Sequence, residues 1–223
     1  MFAMILAAGL GTRLRPLTDQ IPKPMLPIAG IPLIGHQLHA LARAGVSDVI
    51  INLHHLKEQI TAYVGTGKDF GVSVHYSEEP ELLETGGAIR KVLDAFDKKP
   101  FWLLNGDIWT DFDFSTLPRT LPTGAAHLVL TPTPAYRQQG DFTWSDGLIT
   151  ARGNDYVYCG IACLQPDLFS GIDPGSHFSL RDTYFKLIDQ QCLYAQIHPG
   201  VWHDIGSLDQ YQALLQQYPN PAT

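Results

Sequence analysis

Met1-Phe2-Ala3-Met4-Ile5-Leu6-Ala7-Ala8-Gly9-Leu10-Gly11-Thr12-Arg13-Leu14-Arg15-Pro16-Leu17-Thr18 is the stretch whose reading decides the fold. Phe2 to Leu6 is a continuous apolar run, the pattern of a strand buried on both faces of a parallel sheet. It ends in small residues, where Gly9 and Gly11 free the backbone to take φ > 0 and to approach a ligand closely. Successive N–H groups in such a turn form a concavity for anions. Arg13 adds a planar, permanently charged donor fork suited to phosphate oxygens. Downstream, Pro22-Lys23-Pro24-Met25-Leu26-Pro27 places a lysine between two prolines. Each ring fixes its own φ, and Pro24 favours extended geometry at Lys23, so the ammonium is expected to be stiffly aimed. Turn, arginine and lysine together describe a cradle for a triphosphate.

Two better-known phosphate motifs are excluded. A dinucleotide fingerprint would carry a third glycine where Leu14 stands, and a P-loop needs a Gly-Lys-Ser/Thr run that is absent. Singly, Arg13, Arg15 and Lys23 could be ordinary surface charges. Jointly they form a pattern. Gly9-x-Gly11-x-Arg13-x-Arg15-Pro16-Leu17-Thr18, followed by Pro22-Lys23-Pro24-Met25-Leu26-Pro27, resembles the signature of the sugar-phosphate nucleotidylyltransferases. These enzymes join a sugar 1-phosphate to a nucleoside triphosphate and release pyrophosphate.

The 223 residues suit one domain, or a domain and a half, with a proper core. A net charge of −7 argues against nonspecific nucleic-acid binding, which needs a basic footprint. It leaves an anionic substrate open, because basic residues gather near the first turn. Cys159, Cys163 and Cys192 form neither a metal-like cluster nor a disulfide framework, so a reducing, cytoplasmic setting is expected. No run approaches the ~20 apolar residues of a membrane span, and residues 1–8 lack the basic start of a signal peptide.

Further along, a helix is expected from about Leu33 to Ala44, a strand at 48–53, a helix at 56–64 and a strand at 72–76. Strand-helix alternation of this kind implies an α/β doubly wound sheet. The resemblance adds a Rossmann-like, mixed-sheet nucleotidyltransferase fold of GT-A-like type with a small sugar-binding β subregion. On this reading 1–223 is a single domain, with 1–112 mainly serving the nucleotide and 113–223 mainly serving the sugar. His54 and His55 follow the second strand without metal-like spacing and read as loop residues.

Thr85-Gly86-Gly87 precedes Ala88-Ile89-Arg90, which puts glycine N–H donors at a helix entrance. Phe101 to Asn105 reads as an apolar strand ending in Asn105-Gly106-Asp107. A carboxylate there is well placed for a hard cation, although Asn-Gly-Asp also makes an ordinary turn. Residues 140–151 read as a hairpin around Ser145-Asp146-Gly147. Gly160 then interrupts a long strand, marking either a bulge or close approach by a ligand.

The resemblance assigns roles to these positions. It implies a nucleotide site at Ala8, Gly9, Gly11, Thr12, Arg13, Lys23, Thr85 and Gly86, with Arg13 and Lys23 catalytic. Glu79, or alternatively Glu81, would read the base edge. Asn105, Gly140, Asp141 and Gly160 would meet the sugar, and Asp107 and Asp204 would hold Mg²⁺, the latter from Trp202-His203-Asp204-Ile205-Gly206-Ser207. The implied substrates are UTP and a sugar 1-phosphate, foremost N-acetylmuramate α-1-phosphate. Mannose 1-phosphate guanylylation and glucose 1-phosphate thymidylylation or uridylylation are the alternatives. No nucleic-acid or membrane partner is expected, and the chain is read as a monomer or weak homodimer. A catalytically inactive nucleotide-binding subunit would be expected to lack Arg13, Lys23, Asp107 or Asp204, and all four are present.

Overall fold

The computed structural model of the chain describes residues 1–221. In chain order its regular elements begin with β1 (Phe2–Leu6), β2 (Pro27–Ile28), β3 (Ile31–Pro32), α1 (Leu33–Arg43), β4 (Asp48–Leu53), α2 (Lys57–Val64) and β5 (Ser73–Glu78). They continue with α3 (Glu84–Lys91), β6 (Phe101–Asn105), β7 (Ile108–Thr110), β8 (Ala126–Pro132), β9 (Phe142–Ser145), β10 (Leu148–Arg152) and β11 (Tyr156–Leu164). The last four are α4 (Leu180–Asp189), β12 (Leu193–Ile197), β13 (Trp202–Asp204) and α5 (Leu208–Gln217). Strand-helix alternation makes this the α/β fold expected from the patterning, and its mixed sheet is the Rossmann-like one the resemblance implies. No helix among the described residues is long and apolar enough to cross a membrane.

The chain forms two compact units. The first comprises residues 1–82, 105–115 and those from Val201 on, and the second comprises 83–104 and 116–200. In the first unit β5, β4 and β1 lie side by side in parallel, with Phe2 opposite Asp48 and Leu53 opposite Glu78. Ala3, Met4, Ile5, Val49, Ile51 and Leu53 are fully buried. That explains unbroken apolar runs where a one-sided sheet would show alternation. Each such Ile or Leu contributes about 1.5–3 kcal/mol by leaving water.

The second unit orders its strands β6-β11-β8-β12-β10-β9. All these neighbours are antiparallel except β8 and β12. The β9–β10 hairpin turns at Asp146 and Gly147, both at positive φ, which matches the hairpin read at Ser145-Asp146-Gly147. α4 starts on Ser179, whose hydroxyl accepts from Arg181 N.

Two local expectations are corrected. Lys23 is not extended: Lys23–Met25 forms a short 3₁₀ turn, closed by Met25 N donating to Pro22 O at 2.7 Å and Leu26 N to Lys23 O at 3.1 Å. Pro24 costs nothing there, because an N–H in the first turn has no partner to lose. Gly86 does not present a free donor at a helix entrance either. It is buried with Gly87 inside α3, and its N–H donates to Phe178 O at 3.0 Å. A Cβ on either would collide with Phe178 or the Ser176 carbonyl, so close packing accounts for these glycines.

Candidate active site

The turn after β1 is held by its own residues. Gly11 adopts φ 63°, Leu14 N donates back to its carbonyl at 2.9 Å, and Thr18 Oγ1 donates to the same oxygen at 2.8 Å. A Cβ at Gly11 would lie 2.8 Å from Thr18 Cγ2, so conformation and space both demand glycine. Gly9 differs: nothing lies within 4 Å of a Cβ built there. Ala8 is buried, whereas Gly9, Thr12 and Arg13 are exposed.

Leu14, the residue that rules out a dinucleotide fingerprint, anchors this turn. It is buried with Leu26, Ile28, Leu33, Ile205, Tyr211 and Leu214 in one apolar cluster. Three of these residues flank polar ones of interest: Leu14 follows Arg13, Leu26 closes the Lys23 turn, and Ile205 follows Asp204. One patch of core thus fixes the backbone beneath Arg13, Lys23 and Asp204. The guanidinium of Arg13 lies over Gly206, with Nη1 3.1 Å from where a Cβ would stand.

Asp107 lies in the tight link between β6 and β7. Gly106 N donates to Leu6 O at 2.9 Å, and a Cβ at Gly106 would sit 2.6 Å from that oxygen. Antiparallel pairing sets Asp204 of β13 opposite Ile108 of β7, and Ile205 N donates to Asp107 O at 2.9 Å. Two segments far apart in sequence therefore meet in one short ladder. Lys23 Nζ donates to Asp107 Oδ2 at 2.6 Å, with the lysine side chain 11% exposed and the aspartate 32%. Lys23, Asp107, Asp204 and Arg13 are thus organised by one unit of the fold.

Among the described residues no group of three or more His, Cys, Asp or Glu side chains could hold a metal. Two carboxylates nevertheless suit Mg²⁺, which is usually bound through one or two protein oxygens and takes water and phosphate for the rest. The Lys23 ammonium puts one positive charge against Asp107 Oδ2. On the same ladder, desolvation lowers the pKa of His203 although the charge of Asp204 pulls it upward.

Glu79 is buried, and its Oε1 accepts from Asn52 Nδ2 at 2.8 Å. The Asn52 Oδ1 accepts from Ala7 N at 2.7 Å, so one side chain ties the glycine turn to the segment after β5. His54 Nδ1 donates to Glu79 O and His55 Nε2 to Thr18 O, each at 2.7 Å. Both histidines brace loops. Glu81 is exposed.

The remaining sequence candidates, apart from Asn105 at the end of β6, lie in the second unit. Thr85 Oγ1 accepts from Leu180 N at 2.9 Å. Asp141 Oδ2 accepts from Tyr158 N at 2.9 Å, and its own N–H donates to Tyr156 O at 2.7 Å. Gly140 is pressed against Asn154, whose carbonyl would be 2.7 Å from a Cβ. Gly160 has φ 73° within a register shift between Tyr158 and Ala162, so a bulge is its local reason.

Asn52, Gly206 and Gln37 escaped the sequence reading. Gln37, on α1, donates from Nε2 to Asn105 O and Ile108 O. A polar residue within an apolar helical or strand pattern announces no partner, and Gly206 read as part of a turn.

The chain is similar to known proteins along most of its length. The family model described as nucleotidyl transferase matches residues 2–142. The N-acetylmuramate alpha-1-phosphate uridylyltransferase of Neisseria meningitidis serogroup B is 39% identical over 220 residues, covering 93% of this chain and 94% of that protein. A mannose-1-phosphate guanyltransferase of Kluyveromyces lactis is 30% identical over 92% of this chain, which spans 61% of that longer relative. Among solved structures, HddC from Yersinia pseudotuberculosis shares the fold at a TM-score of 0.80 and 22% identity, covering 97% of this chain and 98% of that one.

Proposed function

The chain belongs to the nucleotidyl transferase family, and from that premise we propose that it transfers a uridylyl group from UTP to N-acetylmuramate α-1-phosphate. The products are the UDP-sugar and pyrophosphate. The observation that carries the reading is the shared anchoring of Arg13, Lys23 and Asp204 on one apolar cluster, with Lys23 already aimed at Asp107. The near end-to-end match to the Neisseria enzyme supports the choice of base and sugar.

A sugar phosphate oxygen is anionic at neutral pH, so attack on the α-phosphorus of UTP needs no protein nucleophile. The task is to hold two anions in line and neutralise the charge that develops. The N–H groups of the Gly9 to Arg13 turn take phosphate oxygens, and the free space at Gly9 admits them closely. Arg13 neutralises the departing pyrophosphate. Lys23, swinging from Asp107, meets the α-phosphate or the incoming sugar phosphate. Asp107 and Asp204 would hold Mg²⁺, which supplies charge neutralisation at phosphate oxygens when bound.

The test is to incubate the protein with Mg²⁺, each nucleoside triphosphate and a panel of sugar 1-phosphates, then weigh the products. UDP-N-acetylmuramate is the expected product. GDP-mannose formed in preference would replace the substrate assignment, and no product from any pair would refute nucleotidylyl transfer.

A further inference from the structure

We propose that Gln37 is a positioning residue that sets the Asp107 link; the inference rests on the metal-binding role proposed above for Asp107. Gln37 lies on α1, buried among Leu33, Ile34, Leu38 and Leu41, all of them fully buried. An apolar side chain would suit that face better than a carboxamide. Its Nε2 donates to Asn105 O at 2.8 Å and to Ile108 O at 3.2 Å, the two carbonyls that bracket Gly106-Asp107. Two acceptors at one end of the amide fix its orientation, because a carbonyl cannot donate. Its Oε1 is buried and has no hydrogen-bond partner among the described residues.

An orphaned amide oxygen is a standing cost in a low-dielectric interior. Helix packing gains nothing from it. What the amide does provide is a pair of donors that holds both ends of the link while Leu6 O and Ile205 N hold its middle. Four consecutive residues, Asn105 to Ile108, thus each have a backbone group tied down, the outer two to Gln37 and the inner two to Leu6 and Ile205. With both Gln37 bonds removed, the carbonyls of Asn105 and Ile108 lose this shared donor, and the link that aims the Asp107 carboxylate and the Asn105 side chain is loosened at both ends. Gln37 touches no reacting atom and acts through these two residues.

The test uses Gln37→Met, which keeps length and volume without donors, and Gln37→Leu as a second variant. Binding of Mn²⁺ alone is followed by electron paramagnetic resonance, with thermal melting and the KM for the sugar phosphate measured in parallel. Loss of partners that orient metal ligands weakens metal affinity by roughly 10- to 100-fold. The expected result is Mn²⁺ binding weakened at least ~10-fold and a raised sugar-phosphate KM in protein that still melts cooperatively, the melting temperature falling only in part because the orphan oxygen leaves together with the two donors. A folded Gln37 variant with wild-type Mn²⁺ affinity and KM overturns the positioning role while leaving the metal site standing. Wild-type protein that binds no Mn²⁺, or binds it as well after Asp107→Asn, overturns both.

Discussion

Lys23 Nζ rests 2.6 Å from Asp107 Oδ2, so the residue proposed to meet phosphate and the residue proposed to meet the metal hold each other. The ammonium and a divalent cation then compete for one carboxylate. Lys23→Ala is expected to lower turnover by at least ~100-fold, the scale of losing one preorganised electrostatic partner. The same variant should bind Mn²⁺ more tightly than wild type. Steady-state kinetics and metal titration check the two signs, and unchanged turnover in a folded variant removes Lys23 from the site.

Gly206 gives Arg13 its place. A methyl at residue 206 meets Arg13 Nη1 at 3.1 Å and Gln210 Oε1 at 2.8 Å, both flexible ends that can move aside. Gly206→Ala should therefore fold normally yet shift the guanidinium, lowering kcat/KM by roughly 10- to 100-fold through misplacement. A melting curve beside the kinetics separates this from unfolding, and wild-type kinetics would show that Arg13 does not need that place.

Two glycines of the first unit should fail in opposite ways. Gly9→Ala has open space and no positive φ to strain, so stability should stay within about 0.5 kcal/mol while the KM for UTP rises. Gly106→Ala drives a methyl to 2.6 Å from the Leu6 carbonyl, which is backbone and cannot step aside, so the protein itself should be destabilised. Thermal melting paired with UTP titration distinguishes them. A destabilised Gly9→Ala with normal KM would contradict the assignment of Gly9 to the phosphates.

Much of the fold was legible because its signals are local. The buried run Phe2–Leu6, the helix after Pro32 and the hairpin at Ser145-Asp146-Gly147 all appear where pattern and turn chemistry put them. The site was legible in its residue types and hidden in its construction. The ladder between β7 and β13 consists of two three-residue strands far apart in sequence, too short to carry a periodic signal. Gln37 and Asn52 sit where a polar residue on an otherwise apolar element reads as a surface position. Pro22-Lys23-Pro24 misled because the steric bias before proline is weaker than the two hydrogen bonds that close the turn.

The cysteines should differ sharply in reactivity. Cys159 and Cys163 are fully buried, and burial pushes the Cys163 thiol up to about 12, which leaves it protonated at pH 8. Cys192 is partly exposed. A chromogenic disulfide reagent at pH 8 should titrate one thiol in the native protein and three in denaturant. Rapid reaction of all three in the native state would contradict the packing of β11.

The most direct test of the central claim is kcat/KM for UTP, dTTP, CTP and GTP with N-acetylmuramate α-1-phosphate as fixed acceptor. Uracil offers one N–H donor and two carbonyl acceptors, and a site that pairs with them leaves its own groups unpaired when cytosine enters. Such mismatches discriminate by ~10⁴-fold, far beyond what pocket size alone achieves. The account predicts UTP first, dTTP second because thymine adds only a methyl group, and CTP and GTP about 10⁴-fold behind. A preference for GTP would contradict uridylyl transfer and turn the assignment towards the mannose 1-phosphate chemistry of the longer relatives.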